Sequence, residues 1–155
     1  MSFPEESKAY QAQTVLRELM AQGSVRLHGA AVVERRPEGD MVVRDGSVGE
    51  NFGVGTGSGS LIGMMVGILG GPFGMLLGTM AGGLIGSAVD ASRASETSVN
   101  MRAVSNSIAP GTTALVAEIE ELHPAQLDGA VQRLGGQVHR WPESDLRREA
   151  ENYRA

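Results

Sequence analysis

The residues in this 155-residue chain that could do chemistry are few: three histidines, one acidic run, one glycine-serine stretch and one isolated acid. Neutral imidazole is a common metal ligand, and His28 and His139 fall on different expected strands, where they could meet across a sheet. With His123 they are scattered singly, which is the pattern of surface residues, and no metal site is expected. Glu118, Glu120, Glu121 and His123 gather near a strand end and read as a solvated rim. The stretch "GVGTGSGS" invites a phosphate-cradle reading. That cradle needs a Gly-Lys-Ser/Thr ending, and Lys8 is the only lysine in the chain. Gly55, Gly57 and Ser60 only approach the dinucleotide fingerprint, and the acid expected about 20 positions further on is missing. No Ser-His elbow and no acid–base pair stands at catalytic spacing. The expectation is a protein that is not an enzyme, with no cofactor and no small-molecule substrate.

Composition narrows the partners. The net charge of −5 argues against nucleic-acid binding. The absence of Cys removes disulfides, thiolate zinc sites and a Cys nucleophile. Aromatic residues make up only 4%, few for a base-stacking surface or for the Trp/Tyr belts of a polytopic membrane protein. "MSFPEESKAYQ" is acidic and polar and does not read as a secretory signal, so the charged parts are expected in the cytoplasm. Charge is also distributed unevenly: between Glu50 and Asp90 there is no Asp, Glu, Lys or Arg. The chain therefore divides into a first part of an α+β domain at 1–50, a glycine-rich linker and apolar hairpin at 51–90, and a second α+β part at 91–155.

Periodicity supplies the elements that would position these residues. Residues 4–22 read as a helix, with Pro4 in the first turn, Gly23 at the C-cap, and Ala9, Ala12, Leu16, Leu19 and Met20 as its apolar stripe. "RLHGAAVVERR" alternates, Leu27, Gly29, Ala31 and Val33 facing one way and Arg26, His28 and Glu34 the other. "PEGD" turns the chain into a second strand, "MVVRD". Residues 46–60 read as a Gly/Ser linker. Beyond the insert, Met101, Val104 and Ile108 mark a helix and "TTALVAEIE" a strand. Pro124, Leu127, Ala130, Val131 and Leu134 mark another helix, "QVHRW" a short strand, and a polar helix begins near Ser144. The order suggests a ferredoxin-like α+β sandwich, with the strand at 137–141 filling the sheet edge in a permuted arrangement.

The insert "GSLIGMMVGILGGPFGMLLGTMAGGLIGSAVD" reads as two helical arms broken at Gly-Gly-Pro. Gly74, Gly78, Gly82 and Gly86 recur every fourth residue along one helical face, and Gly63 and Gly67 begin the same pattern in the first arm. Each glycine costs about 1 kcal/mol against alanine inside a helix, so close approach of another helix must offset it. The expected role of these six glycines is helix packing and oligomerisation. The expected partners are other copies of the chain and the lipid bilayer. Asp90 ends the second arm at the negative end of a helix dipole, where an acid is unfavourable. It reads as a stop signal and is the one candidate functional acid.

Three stretches together resemble a known family: the strand pair "GAAVVERRPEGDMVVRD", the hairpin end "GLIGSAVD", and "IAPGTTALVAEIEE". The chain is similar to the bacterial domain of unknown function 1269, catalogued as predicted membrane proteins with stress-associated members. The resemblance implies an α+β domain interrupted by a glycine-zipper helical hairpin, and carries no catalytic residue across. The chain departs from the family pattern at its start: a strand commonly precedes the first helix there, and here that strand is expected to be missing. The reading is a membrane-associated oligomer on the cytoplasmic side of the membrane. Its rival is a soluble, self-assembling structural protein such as a ring, filament or shell.

Overall fold

The computed structural model describes residues 1–45 and 99–154. The linker and hairpin, with Gly63, Gly67, Gly74, Gly78, Gly82, Gly86 and Asp90, lie outside the described residues.

Helix α1 spans Glu6–Ala21. Ala9, Ala12, Leu16 and Leu19 are buried as their spacing requires, but Met20 in the last turn is exposed, and Gln13 is buried on the same helix. The helix stops at Gly23, whose φ of +73° is a left-handed conformation that suits glycine. The Gly23 N–H reaches the Met20 carbonyl at 3.0 Å, and the Ser24 N–H the Leu19 carbonyl at 2.9 Å. This double closure satisfies carbonyls that the helix end would otherwise strand. Gly135, also at +73°, ends α3 (Pro124–Arg133) in the same way. Between these helices in sequence lies α2 (Val99–Asn106), and α4 (Glu143–Arg154) follows α3.

Among the described residues, four strands form one antiparallel sheet: β1 (Ser2–Phe3), β2 (Val25–Arg35), β3 (Met41–Asp45) and β4 (Thr112–Glu121), ordered β1-β4-β2-β3. β1 and β2 therefore run parallel with β4 between them, and β3 and β4 run parallel with β2 between them. The two βαβ passes are interlocked. A strand does precede α1, but β1 is too short to show any alternation. At the other end, the 137–141 segment is not a strand. Gln137 alone bridges Ser2, and the chain then leaves the sheet.

The alternation expected of β2 also breaks. Leu27 pairs with Ile119 and Gly29 with Glu118, so β2 carries one extra residue at His28. Such a bulge reverses which residues face which way. Leu27 consequently joins Ala30 and Val32 on one face, against α1 and α3, while Ala31 and Val33 turn to the other. The first face is filled by Leu16, Leu19, Val25, Leu115, Leu127 and Val131. The second is covered by Met41 and by Ile108, just beyond α2. Residues 29–33 are buried throughout, which is why "GAAVV" is a continuous apolar run: a central strand covered on both faces has no side to spare for polar residues.

Arg35, at the end of β2, ties the two parts of the chain together. Its guanidinium donates to the carbonyls of Ser105 (3.0 Å), Ile108 (2.9 Å) and Gly39 (3.3 Å). A cation there complements the negative end of α2.

Leu115 is fully buried on β4, in the middle of the first-face core. Leu115→Ala is expected to cost about 3 kcal/mol of unfolding free energy. The shift in denaturant midpoint at unchanged slope measures it.

Candidate functional site

The residues with chemical potential converge at the C-terminal end of β4, and each acid there is met by an arginine. Glu118, on the second face, lies 3.1 Å from Arg147 of α4. Arg147 also holds Glu143 one helical turn earlier, at 2.7 Å. Glu120 pairs across the sheet with Arg26 at 3.1 Å. Glu121 and Asp128 both accept from Arg140, at 2.7 and 2.8 Å, which fastens the segment after α3 to the strand end and to α3. The acidic rim expected from sequence is thus a set of ion pairs. Arg140 and Arg147 are the residues that sequence reading missed. Periodicity marks their segments as polar, and pairing with β4 depends on contacts remote in sequence.

Electrostatics follow from this geometry. Burial, reinforced by the nearby Glu143 charge, raises the Glu118 carboxyl above its ordinary 4.5, while Arg147 opposes the shift. The hydrogen bond to Glu121 raises the Arg140 guanidinium further above its usual range. The N-terminal amine, which donates to the Leu115 carbonyl at 3.0 Å, is lowered to about 6, mainly by burial and also by Arg140.

The histidines do not converge. His28 is exposed on the β2 bulge, and β4 lies between its strand and the segment that carries His139. His123 is exposed at the start of α3. His139 stacks on Trp141 with ring centroids 6.0 Å apart, and its Nε2 is buried without a hydrogen-bond partner. It lines a shallow cleft of about 340 Å³ with Asp128, Gln132, Gly136, Gln137 and Val138. Among the described residues, no three His, Cys, Asp or Glu side chains gather closely enough to hold a metal ion. Among them too, no helix is long and apolar enough to cross a membrane.

A raised carboxyl pKa means the folded state disfavours ionisation of Glu118. Its contribution to stability is full below pH 4.5 and is lost as pH rises through the raised value. Glu118→Gln is expected to remove that loss, flattening the decline in melting temperature above pH 4.5 relative to the unmodified chain. Thermal melts across a pH series read it.

A family model described as "Protein of unknown function (DUF1269)" matches residues 56–152, well over half of the chain. The match contains both "GLIGSAVD" and "IAPGTTALVAEIEE" and begins after the β2–β3 pair. No curated protein and no solved structure matches the chain. By the extent of that match, this chain belongs to the DUF1269 family.

Proposed function

We propose that this chain is a non-enzymatic, membrane-associated protein that oligomerises through a glycine-zipper hairpin at 59–90, its α+β unit held on the cytoplasmic side. One observation carries the reading: residues 51–89 contain no charged side chain, and Gly74, Gly78, Gly82 and Gly86 recur every fourth position within them. Small residues at that spacing give a helix a smooth face against which another backbone can pack closely. The finer fold reading belongs with this proposal. It is an α+β unit with the element order βαββαβ, interrupted between β3 and α2 by the hairpin and extended by α3 and α4. Its central strands are β2 and β4, where the ferredoxin-like sheet expected from sequence has its first and third strands in the centre.

The attachment points support a hairpin. Arg35 holds the C-terminal carbonyls of α2 and lies opposite Met41, the first residue of β3. Val99 is one eight-residue helix away from that corner, about 12 Å. Asp45 is one five-residue strand away, about 13 Å. With the Arg35 side chain and the strand spacing between them, the insert leaves and returns through points no more than roughly 40 Å apart. A chain of that length extended would reach several times further, so an excursion that doubles back fits the attachment.

The second reading, a soluble assembly in which hairpins pack only against one another, is favoured by the aromatic content. Phe52 and Phe73 are the only aromatic residues in 51–89, and neither Trp nor Tyr is there to anchor at a membrane interface.

Fractionation of cells expressing the full chain separates the two. A pellet that resists carbonate extraction is expected, and large lipid-free particles in the supernatant, sized by light scattering, would sink membrane insertion in favour of the rival. Gly78→Leu with Gly82→Leu is expected to reduce the assembled species to monomers while far-UV dichroism of the α+β unit persists. An intact oligomer in that double variant would refute close packing through the zipper.

A further inference from the structure

The N-terminal tripeptide fills a slot in the sheet as a separate ligand would. On one side, the Leu115 N–H donates to the Met1 carbonyl at 2.8 Å and the Met1 amine to the Leu115 carbonyl at 3.0 Å. On the other, Ser2 and Gln137 exchange both backbone bonds at 3.0 Å. Phe3 is only 2% exposed. Its ring occupies space that a Cβ on Gly136 would enter, coming within 2.4 Å of a ring carbon. The slot thus combines the edge of β4, the backbone of Gln137 and one aromatic pocket, as when an extended peptide is added to a sheet.

The link between this strap and the rest of the molecule is slight. Only Pro4 and Glu5 join β1 to α1, and both are exposed. Proline also keeps the preceding Phe3 extended, as the slot requires. Short hinges of this kind favour exchange of a terminal element between copies, because the exchanged and closed forms share every contact except the hinge.

We propose that the slot between β4 and Gln137 receives the Met1–Phe3 strap of a second copy. This rests on the assembly reading above. Copies gathered by their hairpins present their straps at a high effective concentration, and the exchange then links α+β units that the hairpins alone would leave separate.

The chain has no Cys, so introduced thiols report without interference. Ser2 and Gln137 exchange both backbone bonds, and such pairs hold Cα atoms about 5.5 Å apart, within disulfide range. One full-length chain carries Ser2→Cys and another, of different mass, Gln137→Cys. The two are mixed unfolded, refolded together into the assembly and oxidised. Disulfide-linked heterodimers are expected as a major product, and adding Gly136→Ala to the second chain should abolish them by evicting Phe3. Isotope-filtered NOEs between the Phe3 ring of one labelled copy and the Val131 methyls of another read the same exchange without any substitution. Light scattering on the same samples separates the outcomes. Assembled material with neither heterodimers nor intermolecular NOEs overturns strap exchange alone. Monomeric material with neither overturns the assembly reading as well.

Discussion

Everything described here depends on the pairing of β2 with β4. Their antiparallel register runs from Val25 opposite Glu121 to Arg35 opposite Thr112, and it supplies the two central strands of the sheet. Both faces of that pair are covered, one by α1 and α3 and the other by Met41 and Ile108. Backbone groups buried this deeply must be bonded to each other, because no water reaches them. Neither strand has another route to satisfaction: β3 and β1 border only one of them each. Arg35 and the β4 acids then fix the periphery, Arg35 against the end of α2 and the acids against Arg26, Arg140 and Arg147.

The same pairing joins the segments on either side of the insert. The family match begins at residue 56, yet the strand that completes its β4 lies at 25–35. A stretch defined by sequence likeness is therefore not a folding unit here. The insert costs the sheet little in loop closure. Lengthening the β2–β4 connection by some 50 residues adds only about 1 kcal/mol, since closure entropy grows with the logarithm of length. A long excursion between β3 and α2 is thermodynamically tolerable on that account.

Much of this architecture was legible in the residues. Gly23 marked the end of α1, Pro124 the start of α3, and Leu127, Ala130 and Val131 its buried face. What periodicity missed has specific causes. The β2 bulge at His28 inserts one residue, and an alternating pattern read straight through it assigns Leu27 and Ala31 to the same face. β1 is two residues long and carries no period at all. "QVHRW" has strand-forming residues, but Arg140 is bound to Glu121 and Asp128, and only Gln137 pairs. The ion pairs at the β4 end were legible only as charge, because their partners come from three separate parts of the chain: β2, the segment after α3, and α4. The glycines and Asp90, assigned on spacing and position alone, lie outside the described residues.

The long separation of β2 from β4 has a consequence for biosynthesis. Chains emerge from the ribosome at about 5–20 residues per second, so β4 follows β2 by several seconds. Through that interval the β2–β3 hairpin waits without its central neighbour, and the uncharged stretch of 51–89 leaves the tunnel before β4 does. The apolar segment therefore meets its surroundings before the sheet can close. The α+β unit completes itself only after the whole apolar segment has been made.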